Sequence, residues 1–335
     1  MKVGVYISIA DVQGGGRNLQ RIVDEAIEEA VLAEEMGFDA CFFGEHHQDR
    51  DGFLPSPLIV ASAVAARTHK IKIGTSVLLL PLYHPVHVAE DVATLDIISK
   101  GRIILGVGLG YQGPDFAAFN IPQKEARGRL EEGIEVIRKC WTGEPFTYNG
   151  KHFQLDNVRC LPTPVQRPGP PLWVGGSVPA SIRRAAKVGD AWISTPSTTR
   201  SDTVDLRDIY QSALTEGSGQ VVLMKDAWVA PTREAAFEEY GPYAVDAYKY
   251  YWRAGLPDFN YIKSESEITL ENMAPNRMVV GSPEECIGEF NEWKESTGSD
   301  NFVLRLRQAH SGGPPHGQIM DAIQRFGREV LPYLN

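Results

Sequence analysis

Positive charge is scarce in this chain: 33 Lys and Arg stand against 43 Asp and Glu, a net charge of −10 near neutral pH. That balance argues against a nucleic-acid partner, and no basic cluster reverses it locally. Cysteine is scarce as well. Cys41, Cys140, Cys160 and Cys286 lie far apart, with no CxxC pair and no zinc-ligand spacing, and read as small apolar residues in a reducing compartment. Nowhere is there an apolar run of roughly eighteen residues, so no membrane span is expected. The opening MKVGVYISIA lacks the charged-then-apolar pattern of a secretory signal and reads as a strand. A cytoplasmic location is the expectation. What is there is ordinary: 335 residues, 43% hydrophobic and 23% charged, enough to bury a large core without staples.

Short apolar β-type runs alternate with amphipathic helical stretches from one end to the other. Strands are predicted over 3–9, 39–44, 71–80, 103–108, 172–174, 191–194, 221–229 and 301–306. Helices are predicted from the cap Asn18 to near Gly37, and over 56–68, 85–99, 125–141, 179–188, 202–214, 233–252, 283–295 and 317–334. This alternation implies an α/β fold with a parallel sheet, and its eight units suit a closed (β/α)₈ TIM barrel better than an open sheet. No composition change marks a second domain, so residues 1–335 read as one. Insertions are expected after the fourth strand's helix (about 143–170, with an Asn149-Gly150 hairpin) and after the seventh strand (about 253–280). In such a barrel, chemistry belongs at the C-terminal strand ends.

Strand two runs into Glu45-His46-His47. Imidazole titrates near neutrality, which suits His46 to proton transfer or to bonding a developing oxyanion, with Glu45 beside it. The plainer alternative is an internal salt bridge and a backbone cap. Strand three continues as Gly74-Thr75-Ser76-Val77, small residues that let a flat ring approach the backbone. Gly106-Val107-Gly108-Leu109-Gly110 fails as a dinucleotide fingerprint, because Tyr111 holds the third required glycine position. It reads instead as a tight strand end where Gly108 and Tyr111 face a ligand. Gly175-Gly176-Ser177 opens a helix, and bare amides, a hydroxyl and the positive end of a helix dipole make a phosphate seat. A simple N-cap is the alternative there. His84 and His87 read as a helix start, and Trp173, Trp192 and Trp228 as core.

Taken in order, these pieces resemble the luciferase-like flavin monooxygenase superfamily over roughly residues 1–200. The resemblance is carried by Glu45-His46-His47, Gly74-Thr75-Ser76-Val77, His84-Pro85-Val86, Ser99-Lys100-Gly101-Arg102, Gly106-Val107-Gly108 and Pro171-Leu172-Trp173-Val174-Gly175-Gly176. It implies a (β/α)₈ barrel that binds reduced FMN, or the deazaflavin F420, at its C-terminal mouth. By position it makes His46 the active-site histidine and Ser76-Val77 a non-prolyl cis peptide under the flavin ring. It makes Gly176 and Ser177 the phosphate ligands, with Arg129 as basic helper. Leu109 departs from the pattern, since luciferase places a phosphate-binding arginine there. The implied reaction oxygenates a small organic substrate with O₂ through a C4a-peroxyflavin. The chain has no NAD(P)H fingerprint of its own, so a separate flavin reductase would supply the FMNH₂. A homodimer is implied by the resemblance, and Tyr6, Phe53 and Tyr111 are candidates for the substrate wall. Three other readings stand beside this one, of which a non-catalytic relative that binds flavin or pairs with an active subunit is opposed by the retention of His46. An F420-dependent hydride-transfer enzyme would use the same barrel; a metal-dependent barrel hydrolase would use Glu45, His46 and His47, but lacks an HxH on strand one.

Overall fold

The computed structural model describes residues 1–11, 18–49, 52–215, 219–308 and 313–334. Its first half runs β1 (Lys2–Ile7), α1 (Leu19–Glu35), β2 (Ala40–Phe43), α2 (Pro57–Arg67), β3 (Lys72–Thr75), α3 (Pro85–Ser99), β4 (Ile103–Val107), α4 (Gly113–Ala118) and α5 (Ala126–Cys140). A hairpin of β5 (Phe146–Asn149) and β6 (Gln154–Val158) follows. The second half runs β7 (Leu172–Gly175), α6 (Pro179–Val188), β8 (Ala191–Ile193), α7 (Arg200–Ala213), β9 (Gln220–Val229), α8 (Arg233–Arg253), α9 (Leu270–Met273), β10 (Val279–Gly281), α10 (Pro283–Thr297), β11 (Asn301–Arg305) and α11 (His316–Arg325).

The strands read as continuous apolar runs because they are covered on both faces, by the barrel interior and by the helices outside. Parallel pairing proceeds β11–β1–β2–β3–β4–β7–β8–β9, and β9 returns to β11, which closes the (β/α)₈ barrel. The helices start where local chemistry favours it. Asn18 accepts the Gln20 N–H at α1, and proline occupies the first turn of α2, α3, α6 and α10.

Three short elements escaped the sequence reading. α4, α9 and β10 have six, four and three residues, too few to show a period. β10 lies outside the barrel ring, parallel to β9. The third strand is also shorter than the predicted 71–80: β3 ends at Thr75, and only Leu78 bridges on to Val107 of β4. The last helix ends at Arg325 and continues as a π turn over Phe326–Val330, inside the predicted 317–334.

Candidate active site

A pocket of about 430 Å³ opens at the C-terminal ends of the strands. Its shape begins with glycine. Gly106 of β4 lets β3 approach closely enough that Thr75 Oγ1 donates to the Gly106 carbonyl at 2.6 Å and accepts its N–H at 3.0 Å. A Cβ on Gly106 would collide with the Thr75 carbonyl oxygen, and one on Gly108 would stand 2.5 Å from Val77 Cγ2. Between them the chain leaves the strand. The Ser76–Val77 peptide bond is cis, and Leu78 N–H donates to the Gly106 carbonyl at 2.8 Å. Ser76, Val77, Gly108 and Gly175 therefore present a low wall on which a flat ring can lie.

Glu45 holds that wall from behind. Its carboxylate accepts the Leu79 N–H at 2.6 Å and the Tyr83 hydroxyl at 2.5 Å, and meets His47 Nε2 at 2.7 Å. The hydrogen bond to Glu45 raises the affinity of His47 for its proton. Glu45, expected as a catalytic carboxylate, borders the pocket, and its two oxygens join the end of β2 to the turn after β3.

His46 does face the pocket. Its Nδ1 lies 3.3 Å from the Gln112 side-chain amide and 3.8 Å from Asp49 Oδ2, and its ring packs edge-on against Phe53 at 4.7 Å. Accepting the Gln112 N–H at Nδ1 puts the neutral ring's proton on Nε2.

Two opposed ends complete the site, since β7 and β1 lie four strands apart around the ring of eight. At the β7 end, Gly175, Gly176 and Ser177 precede α6, and Trp192 Nε1 donates to the Gly176 carbonyl at 2.8 Å. The Ser177 hydroxyl has no hydrogen-bond partner among the described residues. At the β1 end stand Tyr6, Arg305 and Tyr251. Arg305 forks onto Asp226 of β9, Nε to Oδ1 at 2.6 Å and Nη2 to Oδ2 at 3.0 Å, and its Nη1 donates to Tyr251 Oη at 3.0 Å. Burial alone would weaken its hold on the proton; the Asp226 carboxylate more than reverses that.

The luciferase-like monooxygenase profile matches residues 1–301. This chain belongs to that family. Against two uncharacterised proteins of Sinorhizobium fredii the match runs over about half of each relative, 54% and 51%. An F420-dependent glucose-6-phosphate dehydrogenase of Nakamurella multipartita is 30% identical over 92% of this chain and 92% of its own. The oxygenase component of a flavin-dependent trigonelline monooxygenase from Acinetobacter baylyi is 28% identical over 93% of this chain and 90% of its own. The barrel is shared with the oxygenating constituent of 3,6-diketocamphane monooxygenase from Pseudomonas putida, solved with FMN, at a TM-score of 0.81 and 22% identity over 100% and 99% of the two chains.

For a luciferase-like protein, most of the sequence-predicted site gathers in one pocket: Tyr6, Glu45, His46, Ser76, Val77, Gly108, Tyr111, Gly175, Gly176 and Ser177 all line it. Two residues stand apart. Arg129 donates to the Pro81 carbonyl at 2.7 Å, its guanidinium lies over the Phe153 ring, and it is no part of the pocket lining. Phe53 is buried behind His46 and is no part of the pocket lining. Arg305 and Asp226 were missed. Their signal was present as charged residues inside otherwise buried parallel strands, where an unpaired charge is prohibitively costly. Among the described residues no three His, Cys, Asp or Glu side chains group to hold a metal ion. No helix among them is long and apolar enough to cross a membrane.

Proposed function

We propose that this chain is a flavin-dependent monooxygenase, one that uses reduced FMN and O₂ to oxygenate a small organic substrate. One observation carries the reading: His46, the one imidazole lining the pocket among the described residues, stands at the edge of a glycine-floored, largely apolar cavity sized for a flat ring. The residues present fit the cofactor. Gly108 and Gly175 add no side chain to the pocket wall beside Val77, and the Ser177 hydroxyl and the start of α6 offer donors to a phosphate. When bound, the reduced flavin supplies the electrons that activate oxygen. The chain does the rest. Glu45 fixes Leu79 and so the wall beneath the ring. His46 moves a proton at Nε2, with Nδ1 held by Gln112. Val77, Leu79, Leu109, Ile193 and Met224 exclude water from the reacting centre. The reduced flavin arrives from a separate reductase, in keeping with a relative named as an oxygenase component.

A second reading, F420-dependent hydride transfer, is favoured by a specific observation. Among the described residues the proposed phosphate end has no basic side chain in the pocket lining: Leu109 lines the pocket, Arg129 is bonded to Pro81 outside it, and Arg305 lies at the opposite end. A phosphate diester with one negative charge needs less compensation than the doubly charged monoester of FMN. Anaerobic titration with FMNH₂ and separately with reduced F420, followed by admission of oxygen, decides between them. Tighter binding of FMNH₂ and substrate-stimulated oxygen uptake are expected. Tight F420 binding with no oxygen uptake would transfer the assignment to hydride transfer.

A further inference from the structure

Tyr6 and Arg305 are direct register partners in the parallel pair β1–β11, and both line the pocket at the end away from the proposed phosphate seat. Each is more than nine-tenths buried. The Tyr6 hydroxyl, like that of Ser177 at the opposite end of the pocket, makes no hydrogen bond among the described residues, and it is aimed into the cavity. A hydroxyl that no protein group satisfies and that opens onto a pocket is free to bond whatever occupies it, so it marks a place where a ligand can complete the bond. Arg305 adds to it. Of its five N–H donors, three are used, two on Asp226 and one on Tyr251 Oη, and two remain.

We propose that Tyr6 and Arg305 form an oxygen-holding subsite that selects substrates carrying an uncharged carbonyl group on a small apolar body. The apolar body follows from the neighbouring wall of Val77, Ile193 and Met224. The absence of full charge follows from the local ion balance. The Arg305 charge is already met by a bidentate carboxylate, and Asp226 also accepts the Tyr248 hydroxyl at 2.8 Å. A substrate carboxylate would be a second anion on one guanidinium in a buried site, with a desolvation penalty and, among the described residues lining the pocket, no second Lys or Arg to offset it. A carbonyl oxygen accepts the two remaining kinds of donor, an O–H and an N–H, without that penalty. In this role Arg305 and Tyr6 orient the substrate toward the glycine-floored wall and His46. The assignment rests on this pocket being the active site.

The test compares binding of acetophenone, ethylbenzene and benzoate by calorimetry, in protein saturated with whichever of oxidised FMN or F420 it binds. Acetophenone is expected to bind more tightly than both others in the wild type. Tyr6→Phe removes only the unpartnered hydroxyl and is expected to weaken acetophenone by about three- to tenfold with ethylbenzene unchanged. Arg305→Gln alone would strand Asp226, so the neutral pair Arg305→Gln/Asp226→Asn is used, its folding checked by thermal unfolding; the same selective loss is expected. Equal binding of the ketone and the hydrocarbon, no binding of either, tighter binding of benzoate, or a Tyr6→Phe protein that keeps the ketone preference would each overturn the subsite. If neither cofactor binds, the proposed function falls, and the same three-ligand contrast on the chain alone still judges the subsite.

Discussion

At the scale of single residues, the Glu45-His46-His47 run divides its labour in a way its spelling does not disclose. His46 is placed to act on a ligand and Glu45 to hold backbone. His46→Ala is therefore expected to lower kcat by roughly 10²-fold or more with little change in thermal stability. Stopped turnover assays beside unfolding curves check this, and unchanged turnover would remove His46 from the mechanism. Glu45→Gln is expected to lose about 1–3 kcal/mol of stability, because a charge-assisted set of bonds to Leu79, Tyr83 and His47 is weakened. Lys225 makes a pH prediction. It is fully buried, with Nζ over the Trp293 ring at 3.9 Å and donating to the Thr198 carbonyl at 2.9 Å, and burial pushes its pKa down to about 7. The folded chain then binds fewer protons than the unfolded one between that value and the unfolded value of about 10.4, so stability from this group rises with pH across that window. Lys225→Met is expected to abolish the rise in denaturation midpoints measured from pH 7 to 10; an identical pH slope in the variant would show that Lys225 is not its source.

At the scale of elements, two contacts between neighbouring strands shape the site. The β3–β4 approach depends on Gly106, so Gly106→Ala is expected to destabilise the fold by about 1–3 kcal/mol, whereas Gly108→Ala, whose Cβ would displace the Val77 side chain, is expected to cost less stability and to lower cofactor affinity. Denaturant titration and cofactor binding on the two variants separate these outcomes. Equal stability losses would mean that Gly108 serves packing and not the ligand. The β9–β11 contact depends on the Asp226–Arg305 pair, and Asp226→Asn alone leaves a buried guanidinium without its counter-charge. That change is expected to cost about 3–5 kcal/mol, and the double variant with Arg305→Gln much less.

At the scale of the whole molecule, the stretch after α8 reaches back over the barrel mouth. Pro257 lines the pocket, and Asp258 accepts hydrogen bonds from Thr195 Oγ1 at 2.7 Å and Ser197 Oγ at 2.5 Å beyond the end of β8. We propose that residues 253–280 act as a cover anchored at Asp258. Asp258→Ala is expected to speed limited proteolysis within 257–277 and to raise KM more than it lowers kcat. Cleavage at the wild-type rate would argue against the anchor.

The barrel was legible from the amino-acid order because its information is local. Each strand-helix unit shows its own period, caps and breakers, and eight such units in parallel have few ways to bury their faces. The pocket's glycines and His46 were legible for a related reason: strand ends in this architecture converge on one mouth, so strand-end residues are neighbours before any coordinates are known. What folding alone decided is which polar groups meet. Arg129 lay within the right motif and went to the Pro81 carbonyl, while Arg305, more than three hundred residues along, met Tyr6 through the closing strand pair. Hydrogen bonds and ion pairs are settled by distances of a few tenths of an ångström between groups remote in sequence, and no period or spacing along the chain encodes those distances.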